Sequence, residues 1–122
     1  MRLVNAGPAA APATAPATSL AGAEEFAALI GRPNHVLVDV RTPAEHAAGH
    51  IAGTDRLIDF DSAGFRERLG ELPRDQTYLL YCRSGRRSGL AATEMISLGF
   101  QHAIHLTGGV QAWQKANKPL IK

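Results

Sequence analysis

The residues from Thr77 to Gly99 read TYLLYCRSGRRSGLAATEMISLG and indicate the architecture of the whole chain. Its first five residues are apolar almost throughout, which predicts a strand buried on both faces of a parallel sheet. Cys82 follows this strand directly, and the pattern from Arg86 to Leu98 predicts the longest helix of the chain. Ligands in folds of this kind bind outside the carboxyl ends of the strands. Cys82 therefore lies where chemistry is expected.

Strands and helices alternate on either side of this unit. Val36–Val40 is a β-branched-rich run typical of a buried strand, and Leu57–Phe60 and Ala103–Leu106 are shorter candidates. Between them we predict helices that end at Gly31, run from Thr42 to Gly49, cover Phe65–Leu69 and follow Gly108-Gly109. Such alternation predicts a three-layer α/β fold with a central, mostly parallel sheet and helices on both faces.

Local signals mark several helix ends and core positions. Thr42 before Pro43 and Glu45 predicts an N-cap with proline at the first helical position and a capping box. In the long helix, the candidate core positions are Leu90, Met95 and Leu98, and Gly99 is the candidate C-cap.

Residues 1–18 differ in composition from the rest of the chain. They are rich in Ala, Pro and Thr, and spaced prolines disfavour a stable helix. We predict a disordered leader or linker over 1–18 and one folded domain over 19–122. The segment has no continuous apolar core of a signal peptide, and both a cytoplasmic location and export to a bacterial envelope stay open.

Composition excludes several classes of protein. The chain has 122 residues and a formal net charge of +2, with no apolar run long enough to span a membrane. Its only dense basic cluster, Arg83, Arg86 and Arg87, is too compact for a nucleic-acid groove and suits a small anion. The single cysteine cannot form an intramolecular disulfide, and a monomer is the default expectation.

The residues after Cys82 favour its ionised form. A short loop that leads into a helix directs several backbone N–H groups to one point, and Gly85 lets that loop curl. Arginine adds permanent positive charge. We therefore predict that Cys82 is substantially a thiolate at neutral pH. A catalytic role for Cys82 further requires that its sulfur can be reached from solvent.

Four segments in order resemble the rhodanese homology domain, and the resemblance covers nearly everything from Leu20 to Leu120. They are Val36 to Glu45 with an Asp-x-Arg element, Gly49-His50-Ile51-Ala52-Gly53, Tyr81 to Ser88, and Leu106 to Trp113 with Gly-Gly-x-x-x-Trp. Ala52 stands where the family usually has proline, and Thr54-Asp55-Arg56 replaces a stretch that is usually small and apolar. These departures bear on acceptor specificity.

The resemblance implies a sulfurtransferase with Cys82 as its catalytic nucleophile. Cys82 would take sulfur from thiosulfate or a similar small anion and pass the persulfide sulfur to cyanide, a thiol or a protein acceptor, without a cofactor. The residues that would bind the substrate and the persulfide are Arg83, Ser84, Gly85, Arg86, Arg87 and Ser88.

Other polar residues have structural explanations. We expect Asp39 to be a buried carboxylate paired with Arg41 or backbone amides, and His50 to form a hydrogen bond in its turn. Trp113 is the candidate core anchor of the last helix. His102 and His105 match no zinc framework with Cys82, so no metal site is predicted.

Two other functions remain open. A cysteine-based phosphatase or arsenate reductase also places a thiolate and an arginine in an anion-binding loop, but relatives with phosphatase activity carry a longer loop than Cys82 to Arg87. A relay module would receive a persulfide from one protein and pass it to another, and transfer to a specific partner separates it from an enzyme that uses small molecules.

Overall fold

The computed structural model describes residues 17–122. Within these residues, five strands form the centre of the domain: β1 (Ala17–Ala21), β2 (His35–Asp39), β3 (Arg56–Leu57), β4 (Thr77–Tyr81) and β5 (His102–Leu106). They make one sheet in the order β1-β5-β4-β2-β3, and every neighbouring pair is parallel. The predicted α/β fold is therefore confirmed.

In the described part of the chain, four helices connect the strands and a fifth follows the last strand: α1 (Ala23–Leu29), α2 (Pro43–Ala48), α3 (Phe65–Gly70), α4 (Arg86–Ser97) and then α5 (Gly109–Lys115). The signals at α2 act as predicted, because the Thr42 hydroxyl accepts from the Glu45 N–H at 3.2 Å and the Glu45 carboxylate accepts from the Thr42 N–H at 3.1 Å. Among the described residues, no helix is long and apolar enough to cross a membrane.

The apolar residues of the sheet divide between two cores because strand side chains alternate. Tyr78, Leu80 and Cys82 face a core shared with α3 and α4. Leu79 and Tyr81 face the other core, to which α1 contributes Phe26 and α5 contributes Val110 and Trp113. The sheet is thus covered on both faces, as the sequence predicted.

Helix α4 packs closely on the sheet through small side chains. Its buried positions are Ser88, Ala91, Ala92 and Met95, spaced as one helical face. Met95 was predicted correctly and Leu98 is partly buried, but Leu90 is 50% exposed, so its predicted place in the core is wrong. Leu90 lies one position outside the buried face and lines an open groove with Phe60 and Phe65.

Strand boundaries differ from the prediction at two places. The first described strand, β1, already includes Ala17 and Thr18 and pairs with β5 from Ala17 opposite His102, so the predicted boundary after residue 18 falls inside a strand. This strand was not predicted, because Ala and Ser have low strand propensity and the segment has no run of large apolar residues. Residues 1–16 lie outside the described part of the chain. The strand predicted over Leu57–Phe60 is reduced to β3, which pairs only at Arg56 and Leu57.

Parallel pairing brings the carboxyl ends of the strands to one edge. The residues that follow β2, β4 and β5 therefore meet there: Val40-Arg41 after β2, Cys82 after β4 and Thr107-Gly108 after β5. Val40 N–H donates to the Tyr81 carbonyl at 3.0 Å, which extends the β2–β4 pairing up to Cys82.

Candidate active site

The sulfur of Cys82 lies inside the Cys82 loop, residues 82–88, which joins β4 to the first turn of α4. The Gly85 N–H donates to Sγ at 3.0 Å, and the Ser88 hydroxyl oxygen lies 3.6 Å from Sγ. Gly85 has φ 103°, a left-handed conformation that favours glycine and lets the loop turn back over the sulfur. The loop therefore encloses one atom of its own strand end.

The pKa of Cys82 reflects two opposing effects. Burial of the thiol raises the pKa. Hydrogen bonds from the backbone and hydroxyl of Ser88 and from the backbone of Gly85 and Ser84 lower it by more than burial raises it, so the net pKa of Cys82 is below its ordinary value. In the structure, these hydrogen bonds of the loop are the main causes of the lowered pKa. The predicted effect of arginine charge is present at Arg87, whose own pKa is raised in part by the charge of Cys82.

The sulfur is nearly closed off from solvent, since Cys82 is 1% exposed. The condition that a reagent can reach it is therefore not met with the loop in this conformation. Arg83, Ser84 and Arg86 are exposed and form the outer surface of the loop. A substrate can reach the sulfur only if the groups that cover it move.

The three arginines of the loop have different surroundings. Arg83 and Arg86 are exposed, and Arg83 lines a pocket beside the loop together with Arg41, Glu45 and Gln114. Arg87 is directed elsewhere: its two terminal nitrogens donate to the two carboxylate oxygens of Glu45, each at 2.9 Å. This bidentate pair lowers the pKa of Glu45 to about 2 and raises that of Arg87.

The first turn of helix α5 supports the backbone of the Cys82 loop. The Val110 N–H donates to the Cys82 carbonyl at 2.9 Å, and the Gln111 N–H donates to the Arg83 carbonyl at 3.1 Å. Gly109, with φ 59°, packs so closely on the same carbonyls that a Cβ at this position would lie 2.5 Å from the Cys82 oxygen. The Gly108-Gly109 pair therefore allows the backbone of α5 to hold the backbone of the loop.

Asp39, at the end of β2, is a buried hub of hydrogen bonds. Its Oδ1 accepts from the backbone N–H and Nε of Arg41, each at 2.9 Å, and its Oδ2 accepts from an Arg41 terminal nitrogen at 2.8 Å. His46 Nδ1 lies 3.0 Å from the same Oδ2. The expected Asp39–Arg41 pair is present, and Arg41 also donates to the Gly49 carbonyl at 2.7 Å.

His50 forms hydrogen bonds in its turn, as expected. Its Nδ1 lies 3.0 Å from the His46 carbonyl, and its ring stacks on that of His46 with centroids 3.9 Å apart. Its backbone pairs with Ile121, so the residues after α5 lie beside α2.

Trp113 is buried, meets the ring of Phe26 edge-on and donates through Nε1 to the Pro119 carbonyl at 3.0 Å.

The Thr54-Asp55-Arg56 departure has a structural role. The Thr54 hydroxyl donates to the Ile51 carbonyl at 2.6 Å and lies 2.8 Å from the hydroxyl of buried Tyr81, which also accepts from the Ile51 N–H. Burial raises the pKa of Tyr81 to about 12, so this hydroxyl stays protonated. Asp55 accepts from the Leu37 N–H at 2.9 Å, and Arg56 is exposed.

Three residues near the loop were missed by sequence reasoning. Glu45 was assigned only to the cap of α2, Gly109 only to a turn, and His105 only to a rejected metal site. His105 Nδ1 lies 3.3 Å from the Ser88 hydroxyl, and burial lowers the pKa of this histidine. Each of these three residues contacts the Cys82 loop from a distant part of the sequence, and no local sequence pattern predicts such contacts. Within residues 17–122, no group of three His, Cys, Asp or Glu side chains is placed to hold a metal ion.

The fold and the position of Cys82 at the end of a strand define the class of this protein: it is a small parallel α/β domain with a cysteine in the loop that leads into a helix. A profile of the rhodanese-like domain matches residues 22–116, and the chain belongs to this family. Thiosulfate sulfurtransferase GlpE of Pseudoalteromonas translucida is 32% identical over 88 residues, which cover 72% of this chain and 81% of GlpE.

A larger relative and a solved structure show the same likeness. The probable adenylyltransferase/sulfurtransferase MoeZ of Mycobacterium tuberculosis is 42% identical over 83 residues, 68% of this chain, and the match spans only 21% of MoeZ. The crystal structure of a rhodanese-related protein from Thermoplasma volcanium superposes with a TM-score of 0.72 at 27% identity, over 84% of this chain and 97% of that one.

Proposed function

We propose that this domain is a sulfurtransferase that carries sulfur on Cys82 as a persulfide and takes it from thiosulfate or a similar small anion. The observation that carries the proposal is the contact of Cys82 Sγ with the Gly85 N–H at 3.0 Å inside a loop that lowers the pKa of the thiol. The thiosulfate sulfurtransferase activity named for GlpE supports this choice of donor.

In the first step, the Cys82 thiolate attacks the outer sulfur of thiosulfate. A sulfur–sulfur bond forms to Cys82, the sulfur–sulfur bond of thiosulfate breaks, and sulfite leaves with the electron pair. The enzyme now carries an anionic outer sulfur. Amide N–H groups that stabilise the thiolate would stabilise this second anion, since both are sulfur anions in the same loop.

In the second step, an acceptor attacks the outer sulfur. Cyanide forms thiocyanate, a thiol forms a new persulfide, and in both reactions Cys82 leaves as the thiolate. The cycle is covalent catalysis and uses no bound cofactor. Arg83 and Arg86 guide the anionic donor to the loop, because their exposed charges raise its local concentration.

The dimensions of the loop favour sulfur over a phosphate ester. Only four residues, Cys82 to Gly85, lie between the end of β4 and the start of α4. Arg87, which could bind a tetrahedral anion with two nitrogens, gives both to Glu45. A phosphatase would need this arginine free to face the substrate, since bidentate contacts to arginine are how such sites bind phosphate.

Mass spectrometry of the intact protein after incubation with thiosulfate tests the proposal. Wild type should gain one sulfur atom that cyanide removes with release of thiocyanate, and Cys82→Ser should gain none. Ser97→Ala, a change at an exposed serine in the last turn of α4, is the control and should behave as wild type. Failure of wild type to take up sulfur from thiosulfate contradicts the proposal.

A protein acceptor is distinguished by a second measurement. Wild type loaded with labelled sulfur is mixed with cyanide, glutathione or a purified candidate partner. Turnover with small acceptors at rates that match the loading step supports an enzyme that uses small molecules. Loading without such turnover, followed by rapid transfer to one protein, identifies a relay and overturns the small-molecule acceptor.

A further inference from the structure

Cys82, Ser88 and His105 form a chain of hydrogen-bonding groups. Sγ of Cys82 and Oγ of Ser88 are 3.6 Å apart, and Oγ of Ser88 and Nδ1 of His105 are 3.3 Å apart. The carbonyl oxygen of Gly85 also lies 3.3 Å from Oγ of Ser88. The chain links the sulfur at the end of β4 to a histidine on β5, the neighbouring strand.

The position of His105 is set by tight packing. Its neighbours in the sheet are Leu20 on β1 and Leu80 on β4, and Gly89 of α4 lies over its ring. A Cβ on Gly89 would lie 3.3 Å from Cε1 of His105, so the glycine leaves the space that the ring occupies. The ring therefore has little freedom to turn away from Ser88.

The surroundings of His105 contain few groups that could titrate with it. Its strand neighbours are apolar, and on α4 the groups against the ring are Ser88 and Gly89. Of the charged residues in the first turn of α4, Arg87 is bound to Glu45 and Arg86 is exposed. Burial lowers the pKa of His105, so the ring is neutral near pH 7. Cys82 is the titratable group that it reaches, through Ser88.

Counting protons shows which tautomer suits an ionised sulfur. The Ser88 hydroxyl has one proton, whereas the Gly85 carbonyl and the Cys82 thiolate can only accept. If Nδ1 of His105 also lacked hydrogen, three acceptors would compete for that one proton. Hydrogen on Nδ1 removes this conflict, because Nδ1–H donates to the Ser88 oxygen and the Ser88 proton is free for the sulfur.

We propose that His105 is a positioning residue that acts through Ser88: with hydrogen on Nδ1 it turns the Ser88 hydroxyl toward the ionised sulfur of Cys82. The same three hydrogen-bonding groups, Cys82, Ser88 and His105, carry the thiol proton out of the site. While Cys82 is a thiol, the histidine hydrogen is on Nε2. The S–H bond breaks as its proton passes to Ser88 Oγ, the original hydroxyl proton passes to His105 Nδ1, and Nε2 of the resulting imidazolium releases its proton to water, which leaves a neutral ring with hydrogen on Nδ1. Among residues 17–122, no protein group bonds Nε2.

This inference deepens the proposed function, since it rests on a thiolate at Cys82 that later carries sulfur. Ionisation is measured without a sulfur donor, so the two can fail separately. The test is the pH dependence of alkylation of Cys82 by iodoacetamide, a neutral reagent, in wild type, His105→Leu, His105→Asn, Ser88→Ala and the double variant Ser88→Ala/His105→Leu. His102→Leu, a change at an exposed histidine on the same strand, is the control.

The expected result is a set of shifts in the midpoint of alkylation. His105→Leu raises the midpoint by about 0.5–1 pH unit, roughly the effect of one hydrogen bond. His105→Asn keeps an N–H near the position of Nδ1 and stays close to wild type. Ser88→Ala raises the midpoint at least as far as His105→Leu, and the double variant matches Ser88→Ala because His105 acts only through Ser88.

Three results would overturn the proposal: a wild-type midpoint in His105→Leu, an equal shift in His105→Asn and His105→Leu, or a larger shift in the double variant than in Ser88→Ala. Nitrogen NMR of the imidazole gives a measurement that needs no variant to fold. Above the Cys82 midpoint, the His105 hydrogen is expected on Nδ1, and its presence on Nε2 alone contradicts the proposal.

Discussion

Gly109 lies directly against the backbone that carries Cys82, and a Cβ on Gly109 would stand 2.5 Å from the Cys82 carbonyl oxygen. The same carbonyl accepts from the Val110 N–H at 2.9 Å. The hydrogen bond depends on the glycine, because the backbone of α5 can approach the loop closely only where no side chain intervenes.

Gly109→Ala is therefore expected to displace the Cys82 loop. The methyl group meets backbone that cannot rotate away, and φ 59° is unfavourable for alanine, so we expect the free energy of unfolding to fall by about 2–4 kcal/mol. Urea unfolding and sulfur loading from thiosulfate measure the effect. Gly64→Ala, where a Cβ meets nothing within 4 Å, is the matched control. Equal stability of the two variants would contradict this account.

The Arg87–Glu45 pair predicts a pH dependence of stability. The pKa of Glu45 is lowered to about 2 in the folded protein, so its contribution to stability is complete above its unfolded pKa and is lost as pH falls toward about 2. We expect Glu45→Gln to cost about 1 kcal/mol at pH 7, limited because the pair is partly exposed.

Urea unfolding of wild type and Glu45→Gln between about pH 7 and pH 2 checks this, and the two stabilities should converge at the acid end. The control is Glu24→Gln, since the Glu24 side chain is 80% exposed in its pair with Lys118. A constant difference across the whole range would show that the charge of Glu45 does not contribute to the stability of the folded protein.

The exposed arginines predict a selective effect on anionic reagents. In Arg83→Gln/Arg86→Gln, we expect sulfur loading from thiosulfate to slow several-fold at low salt, because the positive potential over the loop is reduced. Alkylation by neutral iodoacetamide should change little. Arg32→Gln removes an exposed charge at the amino end of the sheet and is the control. Equal slowing of both reagents would indicate a distorted loop instead of lost electrostatic attraction.

Asp39→Asn is expected to destabilise the fold strongly. Asp39 is fully buried and accepts from Arg41 and His46, so the substitution leaves the Arg41 guanidinium buried without its counter-charge. Losing one member of a buried pair costs about 3–5 kcal/mol. Urea unfolding measures this cost against Asp75→Asn, a change at an exposed carboxylate. A cost below that of an ordinary surface change would mean that Arg41 finds another partner.

Short-range patterns predicted the architecture well. The apolar run Thr77–Tyr81 and the capping signals at Thr42 and Glu45 depend on contacts within a few residues, and each element formed where its pattern indicated. Leu90 shows the limit of this reasoning, because a helical pattern marks apolar residues without showing which side of the helix meets the sheet. The edge strand β1 was missed since its pairing with β5 depends on residues 85 positions away, Ala17 with His102.

The position of Cys82 after a buried strand, in a loop of converging N–H groups, follows from the amino-acid sequence alone because neighbouring residues build that geometry. The contacts of the loop with the rest of the domain are visible only in the folded protein: Glu45 binds Arg87, Gly109 packs on the Cys82 carbonyl, and His105 contacts Ser88. These contacts arise because parallel strands bring their carboxyl ends to one edge, which joins residues that are far apart in the chain.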